Sequence, residues 1–187
     1  MIVAAMLAIG VLTSAVNGPG EFSQSGMMKI GNGPERSAML HVGCSADPAG
    51  GALVVELVVT EANTRKDFDY DDFEGPDASA GAKALSHVAW KTASATTEIT
   101  HAAAGSYLPE PPESFMFGID QLSRRPGPAA TPLSAVGVEA GQLVWTQKGF
   151  DEAKRKLNAT FNLDAAATQG LRDTVAACLP AKQPAKK

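Results

Sequence analysis

Apolar and polar side chains alternate over many short segments of the chain, and this period of two predicts β-strands. The clearest pair comprises residues 38–44 and 52–60. The Asp, Pro and Gly residues at 47–51 favour a turn, so this pair predicts a hairpin. The same alternation predicts further strands at residues 66–74, 85–91, 95–102, 114–120, 142–147 and 157–163.

The period changes near the end of the chain, where a helix is predicted. Asp164 is a favourable N-cap, and residues 165–179 place Leu171, Val175 and Cys178 on one helical face. Strands followed by one helix predict a mainly β (α+β) domain. We expect a β-sandwich or a partly open barrel of about seven to nine short antiparallel strands, with the C-terminal helix packed on it.

The N-terminal region predicts export. Residues 1–15 contain an apolar run that is followed by small residues, which is typical of a signal peptide, although no Lys or Arg precedes the run. The alternative is a buried N-terminal strand or helix. We therefore expect a periplasmic or secreted protein, with no transmembrane segment in the mature chain.

The remaining chain divides into three parts by composition. Residues 16–37 contain Gly, Ser and Pro without a hydrophobic period, which predicts a flexible lead-in. Residues 38–180 are expected to form a single globular domain. The basic tail at residues 181–187 is expected to be disordered.

The sequence contains two cysteines, Cys44 and Cys178. In an oxidising compartment they predict one disulfide that encloses almost the whole domain. A loop of about 130 residues would contribute nearly 5 kcal/mol on a chain-entropy argument. The alternative is a pair of unconnected buried thiols, which a cytosolic location would favour.

Composition and motifs exclude several classes of function. The formal net charge is -4, with 16 basic and 20 acidic side chains. Phosphate binding requires a concentrated basic surface, so we expect no nucleic-acid partner. The glycine-rich nucleotide-binding motifs are absent from the sequence, and we expect no cofactor.

The densest charge in the sequence suggests a metal site or an interaction surface. The acids concerned are Asp67, Asp69, Asp71, Asp72 and Glu74. Carboxylates at this spacing are suitable ligands for a hard cation such as Ca²⁺. The same spacing is also explained by the solvated side of a half-buried strand. A histidine from another strand, His41, His87 or His101, would have to join the acids to complete a catalytic site.

One resemblance concerns the end of the chain. A cysteine in an early strand and a final cysteine, reached through Phe161, Leu163 and a helix, resemble the arrangement in small exported bacterial proteins. The invasion-associated locus B family ends in a broadly similar way. The resemblance covers only the last residues of the chain, and it implies no function.

Two hypotheses about function follow. The first is a non-enzymatic exported binding protein, whose partner is an unknown protein or envelope component. Its recognition loops would be residues 104–113 and 123–132. The second is a hydrolase or a metal-dependent enzyme, whose site combines acids at 67–77 with a histidine. The distance between His87 or His101 and these acids distinguishes the two hypotheses.

Overall fold

A computed structural model describes residues 20–44, 53–62, 67–75, 77–80, 83–109, 114–119, 130–136, 139–151 and 155–178. Within these ranges the chain forms nine strands, a short 3₁₀-helix (Tyr70–Phe73) and two α-helices. The strands are β1 (Glu21–Ile30), β2 (Arg36–Cys44), β3 (Leu53–Val59), β4 (Ser86–Lys91), β5 (Thr96–His101), β6 (Ala104–Leu108), β7 (Ser114–Ile119), β8 (Gly141–Lys148) and β9 (Lys156–Leu163). The α-helices are α1 (Ala130–Ser134) and α2 (Ala165–Cys178).

The strands form one antiparallel sheet in the order β5-β4-β8-β9-β1-β2-β3-β7-β6. The edge strands β5 and β6 follow one another in sequence and are joined only by Ala102 and Ala103. Because two consecutive strands occupy opposite edges, the sheet must curl until its edges approach, and it forms a half-barrel with α2 packed on it. The predicted mainly β fold, in its partly open barrel form with a C-terminal helix, is therefore confirmed.

The helix prediction is confirmed over its described part, residues 165–178. The side chain of Asp164 accepts a hydrogen bond from the backbone N–H of Ala167 at 2.8 Å, so it caps α2 as expected. Leu171, Val175 and Cys178 are buried on one face of the helix, which packs mainly against β2 and also contacts β1 and β9.

The interior of the half-barrel is filled by a cluster of aromatic side chains. Phe68, Tyr70 and Phe73 pack against Phe115 and Phe117 of β7, with ring centroids 5.1–6.1 Å apart. Offset and edge-on contacts at these distances are favourable beyond the area that they bury.

The strand predicted at residues 66–74 is wrong over its described part, residues 67–74. The chain turns through a 3₁₀-helix there, and all three aromatic rings enter the same core. The spacing of Phe68 and Tyr70 imitates strand alternation. Phe73, three residues after Tyr70, fits the tighter helical turn instead.

The flexible lead-in predicted for residues 16–37 is also wrong for most of its length. Glu21–Ile30 forms β1 in the middle of the sheet, and β2 begins at Arg36. Phe22, Met28 and Ile30 are buried on the inner face of β1. Between them, Gln24 and Gly26 interrupt the apolar period, so hydrophobic alternation does not predict this strand.

The recognition loops predicted at 104–113 and 123–132 are partly regular structure. Residues 104–108 are the edge strand β6, and residues 130–132 belong to α1. Gly105 obscures β6 because glycine disfavours strands. Here glycine is required, since a Cβ at this position would overlap the Phe115 ring. Residues 110–113 and 123–129 lie outside the described part of the chain.

The predicted signal segment (1–15) and basic tail (181–187) also lie outside the described residues. Among the helices that are described, none is long and apolar enough to cross a membrane.

Candidate functional site

The two faces of the sheet differ in what covers them. Residues with even numbers in β1 and β2 point inward, and those with odd numbers point to the outer face. The inner face packs on α2 and the aromatic cluster. Where β9, β1 and β2 adjoin, the outer face carries a groove of about 630 Å³. A groove of this volume lies within the range of ligand sites.

The groove follows an interruption in the pairing of β1 with β9. These strands pair over only four rungs, from Ile30↔Leu157 to Met27↔Thr160. The register would next pair Gly26 with Phe161 and then Ser25 with Asn162, and neither pair is formed. β1 nevertheless continues to Glu21, paired with β2 throughout. We call the gap between residues 21–26 of β1 and residues 161–163 of β9 the split.

Hydrogen-bond alternation shows which backbone groups face the split. The N–H of Gly31 donates to the carbonyl of Lys156 at 3.0 Å. In an antiparallel ladder every second residue bonds to the same neighbour. The backbone N–H and C=O groups of the odd-numbered residues in β1 therefore point towards β9, whereas their side chains point to the outer face. Past the last rung, Ser25 and Ser23 direct their N–H and C=O groups into the split.

A side chain replaces part of the missing rung. The amide nitrogen of Gln24 donates to the backbone carbonyl of Ser25 at 3.1 Å. The amide oxygen of Gln24 is buried and has no hydrogen-bond partner within the described ranges. Unsatisfied buried acceptors are unfavourable, so this oxygen marks a local cost of the missing pairing.

The split begins where β1 passes over an aromatic ring. A Cβ at Gly26 would overlap both the Phe161 ring and the carbonyl oxygen of Thr160. Only glycine allows this approach. After Leu163, Asp164 leaves the sheet to cap α2, so β9 ends while β1 continues.

The walls of the groove are mostly polar, with one exposed apolar side chain. Met27 is 48% exposed. Lys29 and Glu35 supply one charge of each sign, so the groove has no net charge. The other side chains on its outer side are Ser25, Ser37, Asn158, Thr160 and Asn162.

A second cluster lies on the same face beside the split. His41 Nδ1 and Glu56 Oε2 are 2.8 Å apart. The hydrogen bond to Glu56 raises the pKa of His41; burial opposes this shift, and the charges of Glu56 and Glu21 add to it. The ring lies beside Gly43, where a Cβ would make only ordinary van der Waals contact with it.

Cross-strand register places Ser23 opposite His41 and Glu56 on its other side. A serine, a histidine and a carboxylate in one row have the composition of a nucleophilic triad. The hydrogen bond between serine and histidine that such a triad needs is not present in the described part of the chain. The row is therefore a histidine–glutamate ion pair beside a serine.

The predicted acids do not form one site, because their partners lie in different directions. Asp67 pairs with Arg36 at 2.9 Å, and this arginine side chain is only 7% exposed. Tyr70 lies beside them; burial raises its pKa to about 12, against the opposing charge of Arg36. Asp67 therefore helps to neutralise a buried arginine.

The acids that follow face other partners. Asp69 lies 3.9 Å from Arg155. Asp71 accepts a hydrogen bond of 2.6 Å from the Tyr107 hydroxyl. Burial and this bond raise the pKa of Tyr107. Asp72 and Glu74 lie in the turn of the 3₁₀-helix and just after it.

The histidines stay apart from these acids. His87 pairs with Glu98 at 3.2 Å, and His101 Nδ1 lies 2.9 Å from the Ala102 carbonyl oxygen. Across the described ranges, no group of three or more His, Cys, Asp or Glu side chains could hold a metal ion.

The two predicted bridge residues are only partly described. Cys178 is buried on α2 and is not a free thiol. Cys44 ends β2, but its side chain lies outside the described part of the structure. The pairing of these two cysteines stays a prediction.

Comparisons with known proteins do not assign the chain: no protein family, no curated protein and no solved structure matches it. The candidate site is therefore supported by its geometry.

Sequence reasoning missed the residues of the split. Ser23, Gln24 and Ser25 appear as polar residues in a region without a hydrophobic period. The signal in the sequence was Phe22 with Met28 and Ile30, which keep even spacing across the polar insert. Pairing to β9 cannot be read from that spacing, because strand order is a tertiary property.

The His41–Glu56 pair predicts a pH dependence of stability. Its contribution is complete below the unfolded pKa, near 6.5, while Glu56 is ionised, and it is lost as pH rises through the raised folded pKa. We expect His41→Gln to lower the free energy of unfolding by up to about 1 kcal/mol near pH 5.5, and by less near pH 8.5. Urea unfolding at several pH values measures this difference.

His101→Gln is the matched control, because His101 lies on an edge strand without an acidic partner among the described residues. It should show no comparable trend. A cost of His41→Gln that is the same at both pH values would contradict the assignment of a charged pair.

Proposed function

We propose that the protein is a non-enzymatic binding protein that takes an extended polypeptide segment into the split. The observation that carries the proposal is the missing rung between Ser25 and Asn162. There, β1 continues for six residues beyond its last pairing with β9. Unpaired strand backbone is a template for strand addition.

The backbone groups at the split specify the chemistry of the partner. Ser23 presents its N–H and C=O groups and Ser25 presents its N–H, while the Ser25 carbonyl already accepts from Gln24. An extended peptide has complementary groups at the same spacing. Side-chain selection would come from the outer wall, where Met27 offers an apolar contact and Lys29 and Glu35 offer opposite charges.

The enzymatic alternative has less support. Asp67, Asp69 and Asp71 have separate partners. The His41 row lacks its hydrogen bond to Ser23 in the described part of the chain. A bound peptide would pass close to Ser23, so turnover of that peptide is the result that would favour a hydrolase.

We also propose that the protein is exported and that a Cys44–Cys178 bridge closes the domain. The apolar start of the chain supports export. The bridge is supported by the position of Cys178 on the buried face of α2, and by the packing of that helix on β2, which ends at Cys44. The binding partner of the exported protein would be a protein or peptide of the envelope or of the exterior.

Peptide binding is tested with a displayed library of random heptapeptides, followed by fluorescence anisotropy with synthetic copies of the selected sequences. We expect binding that is lost when alternate backbone nitrogens of the peptide are methylated, because strand addition uses the backbone. Thr160→Arg should fill the groove and weaken binding by roughly tenfold or more.

Thr96→Arg is the matched control. Thr96 is exposed on the same face of the sheet, but it lies on β5, away from the groove. Affinity should stay at the wild-type value in this variant. Selection of no peptide, equal loss in both variants, or binding indifferent to backbone methylation would each contradict the proposal.

The bridge is tested by alkylation and mass spectrometry of the native protein with and without reductant. We expect alkylation of both cysteines only after reduction. On the chain-entropy argument the bridge stabilises the folded state by nearly 5 kcal/mol. Reduction should therefore markedly lower the urea concentration at the midpoint of unfolding. Two thiols that react freely without reductant would rule the bridge out.

A further inference from the structure

A second depression lies on the outer face, away from the split. It has a volume of about 320 Å³ and follows β4 and β8. Ala89 is 0% exposed and Thr146 is 9% exposed, although both belong to the outer face. Outer residues with so little exposure lie at the bottom of a depression. Val144 stands beside them and makes the floor largely apolar.

One end of this depression, which we call the trough, carries positive charge. Lys148 and Lys156 are directly opposite one another on β8 and β9. Both are exposed, and neither forms an ion pair within the described part of the chain. Like charges directly opposite on neighbouring strands are destabilising, so an anion between them would remove an unfavourable interaction.

Neutral donors lie next to the lysine pair. Asn158 and Thr146 form the next pair on the same face of the sheet, and the Thr146 hydroxyl donates to the Asn158 side-chain oxygen at 2.9 Å. This bond leaves the amide N–H groups of Asn158 available as donors. His87 is opposite Thr146 on β4, and its bond to Glu98 uses Nε2, so Nδ1 remains.

We propose that this trough binds a small amphipathic oxyanion. The anionic head, a carboxylate, sulfate or phosphate, would lie between Lys148 and Lys156. The apolar body would lie along Ala89 and Val144. Oxyanions accept several charge-assisted hydrogen bonds at once, and the ammonium groups with the Asn158 amide supply them. The apolar floor adds burial that a bare inorganic ion could not use.

The site is distinct from the peptide site. Asn158 borders both depressions, but the lysines and the apolar floor of the trough lie on β4, β8 and the start of β9 and do not line the groove at the split. A neutral partner suffices at the split, but the trough requires negative charge. Failure of one proposal therefore leaves the other intact.

The test is a titration of the ¹⁵N-labelled protein with hexyl phosphate, inorganic phosphate and hexanol, each followed by amide chemical shifts. We expect hexyl phosphate to bind at least roughly tenfold more tightly than either of the others, since only it has both parts. Shifts should be centred on Ala89, Val144 and Thr146. The double variant Lys148→Gln/Lys156→Gln should bind hexyl phosphate roughly fivefold more weakly or worse.

Lys83→Gln is the matched control. This lysine contacts the Phe150 ring, 3.8 Å from its centroid, and does not line the trough. Its removal should leave the affinity unchanged. Equal affinity for hexyl phosphate and inorganic phosphate would indicate an adventitious ion only. That result, the absence of shifts in the trough, or unchanged binding in the double variant would overturn the proposal.

Discussion

The structure depends on the short seam between its first and last strands. Four rungs between β1 and β9 join a group of four strands, β5-β4-β8-β9, to a group of five, β1-β2-β3-β7-β6. Within the described ranges no other strand pairing connects the two groups. The seam is stabilised from inside by α2, which starts at the end of β9 and crosses to β1 and β2. A bridge from Cys178 to β2 would fasten the far end of that helix.

The same seam also produces the candidate site. β9 must leave the sheet at Asp164 to start the helix that covers the core, while β1 stays paired with β2 as far as Glu21. This turn leaves Ser23 without a neighbour on β9, and Ser25 is unpaired because β1 and β9 already separate after Met27 and Thr160. The groove therefore arises from the way in which the fold is closed, and the side chain of Gln24 compensates only part of it.

Much of the architecture was predictable because it depends on local patterns. The hairpin of β2 and β3 and the cap at Asp164 follow from alternation, turn residues and helix capping. β1 and β6 were missed because Gly26 and Gly105 stand where neighbouring rings, those of Phe161 and Phe115, leave no room for a Cβ. That constraint is tertiary, and no local pattern contains it.

The candidate site was less predictable than the fold. The acids at 67–77 were conspicuous by charge, but Asp67 serves a buried arginine, and Asp69 and Asp71 face separate partners. The residues of the split are inconspicuous serines and a glutamine. Their role depends on strand order. The sequence does not show that β9 is the neighbour of β1, so it cannot show that Ser23 and Ser25 lack a partner there.

Amide hydrogen exchange in β1 tests the split most directly. In the free protein we expect alternation: the amides of Phe22 and Gln24, bonded to β2, exchange slowly, and those of Ser23 and Ser25 exchange fast. The amides of Met27 and Lys29, bonded to β9, should again be protected. Protection of Ser23 and Ser25 equal to that of Met27 and Lys29 would show that β1 is paired along its whole length, and it would contradict the account.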